Sequence, residues 1–238
     1  MNGLQAVVFD LDDTLYAERD YVFSGFRAVA VRTEKEFGLP AEQSFVELRR
    51  LFETGVRGAT FDRFLDLYGL STDQNVAAMV QTYRQHKPQI SLDDATRALL
   101  ERLGLRCRLG LVTDGALDVQ RRKVAALDLT GLLDVIVYSD ALGRDAWKPS
   151  PKPFHTVLGR LSVDATAALY VGDNPAKDFR GARRVGMSTV RVRRPDGLHR
   201  YREPNRAEDA PDVEIDKLDR LPGLLTGILR GAGRREAA

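Results

Sequence analysis

A single cysteine, Cys107, has no partner within the chain, so a fold stapled by intrachain disulfides is excluded. The lone thiol fits a reducing compartment. No apolar run approaches the roughly 18 residues that a membrane-crossing helix requires. Met1–Gln5 is too short for a signal peptide before the apolar run at Ala6 begins, and a cytoplasmic location is expected. An excess of one charge is missing as well. Lys and Arg number 36 against 34 Asp and Glu, a formal net charge of +2, which gives no general reason to expect nucleic acid or a membrane as partner. The histidines, His86, His155 and His199, are scattered without ligand spacing and read as surface residues. No internal repeat is present.

What is there is an ordinary globular composition. Of 238 residues, 43% are hydrophobic and 29% charged, enough for one large domain or for a core carrying a smaller insertion. Short apolar runs at Ala6–Leu11, Arg108–Thr113, Asp134–Tyr138, Ala167–Val171 and Ser188–Val192 suit parallel strands buried on both faces. Helical patterns lie between them. Asp94–Leu103 follows the potential N-caps Ser91 and Asp93, and Asp118–Leu127 has apolar residues at helical spacing. Pro153–Leu161 and Pro175–Val185 each open on a proline, and Gly186 follows the second as a stop. Alternating strands and helices predict an α/β fold, a Rossmann-like parallel sheet with helices on both faces.

The stretch from Tyr16 to Lys87 breaks this rhythm. It shows no strand and reads as amphipathic helices near Tyr21–Phe37, Ala41–Thr54, Phe61–Tyr68 and Gln74–Gln85. The predicted division is therefore a core of residues 1–15 and 88–238 with a helical insertion over 16–87. Arg193–Ala210 is polar and reads as a loop, Asp212–Ile215 as an edge strand, Lys217–Leu229 as a last helix and Gly231–Ala238 as a frayed end.

Polar motifs gather where strands end, which is where α/β sheets bind ligands. The first strand ends Phe9-Asp10-Leu11-Asp12-Asp13-Thr14-Leu15, and residues two apart on an extended segment point the same way. The second ends Thr113-Asp114-Gly115, a hydroxyl and turn amides able to hold phosphate oxygens. After the third comes Trp147-Lys148-Pro149-Ser150-Pro151-Lys152-Pro153, where prolines fix the backbone around Lys148. The fourth ends Gly172-Asp173-Asn174-Pro175-Ala176-Lys177-Asp178, with two acids suited to a hard cation such as Mg²⁺. Each motif alone reads equally as a turn. Together they supply a nucleophile and an acid, a phosphate clamp, a cation and metal-binding acids.

These four motifs, in this order, resemble those of the haloacid dehalogenase superfamily, whose members are mostly phosphatases. The resemblance covers nearly the whole chain and implies a helical cap between the first and second motifs, where the insertion falls, opening to admit substrate. It implies that Asp10 attacks phosphorus to form an aspartyl phosphate and that Asp12 protonates the leaving oxygen and then activates water. Thr113, Asp114 and Lys148 would bind the phosphoryl group. Mg²⁺ would be held by Asp10, the backbone carbonyl of Asp12, and Asp173, with Asp178 nearby. The dehalogenases that name the superfamily lack an acid at the position of Asp12 and need no metal, so its presence favours phosphate chemistry. Two departures stand out. Gly143 to Lys148 is two residues longer than the usual Gly-x-x-Lys-Pro spacing, and Asp114 stands where Asn is common.

The expected activity is a Mg²⁺-dependent phosphohydrolase acting on a small phosphorylated metabolite such as a sugar phosphate, phosphoglycolate or a nucleoside monophosphate. Neither nucleic acid nor membrane is expected as partner, and the chain would be a monomer or homodimer. A phosphomutase with the same residues and a non-catalytic module retaining the fold are the rivals. Cys107 reads as an idle thiol, most phenylalanines of the insertion as its core, and the run Arg180, Arg183, Arg184, Arg191, Arg193 and Arg194 as a solvated face.

Overall fold

The computed structural model describes residues 3–225. The chain falls into two compact units: one runs up to Glu18 and resumes at Ser91, and the other is Arg19–Ile90. The strands are β1 (Ala6–Phe9), β2 (Arg108–Thr113), β3 (Val135–Tyr138), β4 (Ala168–Gly172), β5 (Ser188–Val192) and β6 (Val213–Ile215). The helices are α1 (Glu18–Phe37), α2 (Ala41–Glu53), α3 (Thr60–Asp66), α4 (Asp73–Gln85), α5 (Asp94–Gly104), α6 (Leu117–Ala126), α7 (Lys152–Leu161) and α8 (Phe179–Arg184).

In the first unit all strands join one parallel sheet in the order β3-β2-β1-β4-β5-β6. β1, β4 and all of β2 beyond Arg108 are buried, as their unbroken apolar runs require. Alternation then assigns the faces. Val8, Val112, Ala168 and Tyr170 pack on Phe154, Val157 and Leu161 of α7 and on Phe179 and Ala182 of α8. On the opposite face Leu109 lies under Gly104, at the end of α5. The result is the three-layer α/β/α core that the alternation of elements predicts. Each fully buried Val, Leu or Phe in these layers contributes about 1.5–3 kcal/mol. The chain runs from β1 to β2 and β3 on one side, then to β4, β5 and β6 on the other. β1 and β4 therefore flank the point where the strand order reverses, the favoured ligand crevice of such sheets.

Local chemistry explains most boundaries. Asp93 caps α5 by accepting the Thr96 N–H at 2.6 Å, and Pro153 sits in the first turn of α7. The helix expected from Pro175 begins only at Phe179. Asn174 Oδ1 accepts the Ala176 N–H and Asp178 Oδ2 accepts the Asn174 N–H. These side-chain bonds hold residues 174–178 in a turn instead of a first helical turn. β6 is an edge strand, as expected, with β3 at the other edge. Of the expected last helix, Leu218–Arg220 forms a 3₁₀ turn and residues 221–225 are helical. Its remainder and the stretch Gly231–Ala238 lie outside the described residues.

The second unit is helical. Phe26 meets Phe52 and Phe61 edge-on, and Phe61 meets Tyr83, so the phenylalanines do form its core. His86, expected at the surface, is buried here. Its ring packs 4.9 Å from that of Tyr21. Gly25 makes the room: a Cβ there would lie 2.4 Å from Tyr83 and 3.2 Å from His86.

Candidate active site

β1 ends at Phe9, and Asp10 carries its ladder one step further, donating its N–H to Val171 O at 2.8 Å. The Asp10 carboxylate is therefore fixed at the carboxyl end of the central strand, 1% exposed. Asp13 adopts a left-handed φ of 56°, a conformation that Asp tolerates. Its two oxygens accept the Glu18 and Leu198 N–H groups and anchor the turn that carries Asp12.

Lys148 reaches Asp10 from the loop before α7. Its ammonium is fully buried and donates to Asp10 Oδ1, to Asp178 Oδ1 at 2.8 Å and to the Tyr170 hydroxyl at 3.0 Å. Burial alone would depress this amine, but Asp10, Asp178 and Asp114 reverse the effect and hold it well above the ordinary lysine value. The extra length before Lys148 is taken up by a 3₁₀ turn at Arg144–Ala146. Asp114 Oδ1 accepts the Lys148 backbone N–H at 3.2 Å, so the residue that departs from the usual motif fixes the loop.

Asp173, at the end of β4, and Asp178, just before α8, complete the cluster. Asp10, Asp173 and Asp178 offer carboxylate oxygens within 4.8 Å of one another. Gly172 permits this approach, because a Cβ at that position would fall 2.7 Å from the Asp178 carboxyl carbon. Burial pushes the Asp10 carboxyl up to about 6, with Lys148 and Lys177 resisting and Asp178 adding to the rise. Burial and the charges of Asp178 and Asp10 raise Asp173 well above the carboxylate range. Asp178 is also buried, yet Lys148 and Lys177 outweigh the burial and hold it low. Both Asp178 oxygens are committed, one to Lys148 and Tyr170 and the other to Asn174 N–H. Asp10 Oδ2, in contrast, is buried with no hydrogen-bond partner among the described residues. An orphaned carboxylate oxygen beside a second raised carboxyl, with oxygen donors only, is a donor set that fits a hard divalent cation such as Mg²⁺.

Asp12 stands apart from that cluster. Lys123 Nζ donates to its Oδ1 at 2.7 Å and the Tyr16 hydroxyl to the same oxygen at 2.5 Å. Gln120 Nε2 donates to Oδ2 at 3.0 Å and also to Thr113 Oγ1 at 2.7 Å. Burial would raise the Asp12 carboxyl, but the Lys123 charge and these donors leave it below the ordinary value.

A match to the family described as haloacid dehalogenase-like hydrolase runs over residues 7–192. The chain belongs to this family. It is similar to glyceraldehyde 3-phosphate phosphatase of Methanopyrus kandleri, 35% identical over 90% of this chain and 94% of that protein. The solved structure of the HAD-hydrolase YfnB from Bacillus subtilis, bound to magnesium, superposes with a TM-score of 0.66 at 25% identity, over 94% of this chain and 99% of that one. A 2-haloacid dehalogenase from Pseudomonas syringae does so with a TM-score of 0.62 at 27% identity, over 94% and 98%.

In this haloacid dehalogenase-like hydrolase the first, second and fourth motifs lie at strand ends, and Lys148 lies in the loop between β3 and α7. Asp10, Lys148, Asp173 and Asp178 come together in this chain, and Thr113 joins Asp12 through Gln120. Sequence reasoning missed Tyr16, Gln120, Lys123 and Tyr170, which lie outside the short motifs. A visible signal existed for Gln120 and Lys123: they stand three apart on α6 and so share one helix face. Arg191, expected on a solvated face, is fully buried. Its guanidinium donates to the carbonyls of Asp173, His199 and Arg202 and pairs with Glu214. It tethers the turn carrying Asp173 to the loop after β5. Alternation on β5 could not reveal this, since Thr189 to Val192 are all buried.

Proposed function

We propose that this chain hydrolyses a small phosphomonoester, a sugar phosphate or nucleoside monophosphate, through an aspartyl phosphate on Asp10 with Mg²⁺ as cofactor. The enzyme class is that of its relatives: it is a phosphoric monoester hydrolase. The observation that carries the residue assignment is the Asp10 carboxylate itself. One oxygen is held by Lys148 and the other is buried without a donor among the described residues, on a carboxylate that clusters with Asp173 and Asp178.

Asp10 attacks phosphorus while the ester P–O bond breaks, and Asp12 gives a proton to the departing alkoxide. Thr113 holds a phosphoryl oxygen together with the turn amides from Asp114, and Lys148 holds another by giving up its contact with the Tyr170 hydroxyl. Thr113 Oγ1 accepts from Gln120, which leaves its own proton for a phosphoryl oxygen. Asp12, now a carboxylate, takes a proton from water as that water attacks the aspartyl phosphate, and inorganic phosphate leaves with Asp10 restored. Asp10, Asp173 and the Asp12 carbonyl would hold Mg²⁺, with Asp178 beside them. The ion, when bound, offsets negative charge on the transferring group. Asp12 favours this reaction over dehalogenation, since a halide leaving group needs no proton. The relative's substrate, glyceraldehyde 3-phosphate, supports a small sugar phosphate. We place the activity in the cytoplasm, which the single cysteine supports.

The test is phosphate release from a panel of phosphorylated metabolites with Mg²⁺. Release from at least one small ester is expected, with Asp10→Asn inactive but unchanged in circular dichroism. Wild-type turnover by Asp10→Asn would overturn the nucleophile assignment. A chain that isomerises a hexose phosphate and releases no phosphate would be a mutase.

A further inference from the structure

The α6 helix sends two side chains into the floor of the site. Gln120 and Lys123 are 2% and 4% exposed, and burying a lysine is costly unless its ammonium finds a partner. The Lys123 ammonium bonds Asp12 Oδ1. Tyr16 bonds the same oxygen, so both its lone-pair sites are taken. Among the described residues Oδ2 receives only Gln120, which leaves it as the oxygen with a lone pair open. Gln120 is itself fixed. Its Nε2 also lies 2.6 Å from the Asp114 carbonyl, so its two hydrogens are shared among three acceptors, and Gly115, at φ 122°, lies so close that a Cβ there would sit 3.3 Å from the Gln120 amide carbon. The Thr113-Asp114-Gly115 turn thus wraps the amide that aims Asp12.

We propose that Lys123, with Gln120, is a positioning residue for the leaving-group proton: it pins Asp12 Oδ1 so that Oδ2 alone carries and delivers the proton. This rests on the reading of Asp12 as the acid. Neither α6 residue needs to touch substrate. Without Lys123, Oδ1 keeps only the Tyr16 donor and has a lone pair open, so either oxygen can take the proton and the acid is misaimed whenever Oδ1 carries it. A loss of alignment falls on the protonation step alone. It is severe for leaving groups that must be protonated and slight for those that depart as anions.

The experiment uses a series of substituted phenyl phosphates, from p-nitrophenyl phosphate to unsubstituted phenyl phosphate, with wild type, Asp12→Asn, Lys123→Met and Lys123→Arg. The readout is the dependence of kcat/KM on leaving-group basicity. A shallow dependence is expected for wild type and a steep one for Asp12→Asn. Lys123→Met should steepen in the same sense, losing about 10²-fold on phenyl phosphate and under about threefold on p-nitrophenyl phosphate, with the loss in kcat. Lys123→Arg should restore the wild-type slope. If Lys123→Met does not fold, Lys123→Gln, too short to reach Asp12, carries the same expectation. A uniform loss across the series, a loss in KM, or no change, alongside a steep Asp12→Asn, overturns the role of Lys123 and leaves the acid assignment standing. A wild-type slope in Asp12→Asn overturns the acid assignment, and the inference with it.

Discussion

At the scale of the residue, the site is a problem of too many buried charges. Asp10, Asp173 and Asp178 crowd together, and among the described residues only Asp178 has donors on both oxygens. Lys148 answers part of this, yet Asp10 remains raised to about 6 and Asp173 higher than ordinary. A residue outside the site shows the same physics in a simpler form. Burial and the nearby Asp134 charge push the Cys107 thiol up, and the Val7 backbone only weakly opposes them. A raised thiol carries less thiolate at a given pH, and thiolate is the reactive form. Alkylation by iodoacetamide should therefore rise with pH later in the native protein than in urea-unfolded chain. A native profile with its midpoint at or below the unfolded one would disprove this.

At the scale of the element, α8 shows how tightly the loop of Lys148 is held. A Cβ at Gly181 would fall 2.6 Å from Pro149 O, 3.0 Å from Ser150 O and 2.7 Å from the Phe154 ring. Carbonyls of a loop pinned by Lys148 cannot yield cheaply. Gly181→Ala is expected to destabilise by about 1–3 kcal/mol through overpacking. Gly159→Ala on α7, with nothing within 4 Å of the added Cβ, should be neutral or stabilising by up to about 1 kcal/mol. Urea denaturation of the two variants separates these outcomes, and equal midpoints would refute the packing argument. The same element marks a limit of sequence reasoning. Pro175 signals a helix start, but the signal was displaced to Phe179 by side-chain bonds from Asn174 and Asp178.

At the scale of the whole molecule, a cation that binds only the folded site must stabilise the fold by mass action. At a concentration one hundred times its dissociation constant the gain is about 2.7 kcal/mol. Thermal unfolding followed with increasing Mg²⁺ should show a midpoint that climbs by several degrees, and Asp173→Asn should abolish the climb. A wild-type midpoint that ignores Mg²⁺ would count against a metal at this cluster. The sheet order explains why one cluster can draw on distant segments. β2, β1 and β4 are neighbours, so Thr113, Asp10 and Asp173 end side by side although 98 residues of chain, 10–107, lie between the first strand and the second.

The parallel sheet, the helical insertion and the four strand-end motifs were legible in the sequence, because unbroken apolar runs, helical periodicity and local turn chemistry are properties of short segments. Only the tertiary structure decided which groups hold Asp12, that Arg191 lies inside with four partners and that His86 is buried against Tyr21. Long polar side chains read as solvated in sequence. Whether they turn inward depends on acceptors from remote elements, the Asp12 carboxylate for Lys123 and the Asp173 carbonyl for Arg191, and no local pattern encodes that encounter.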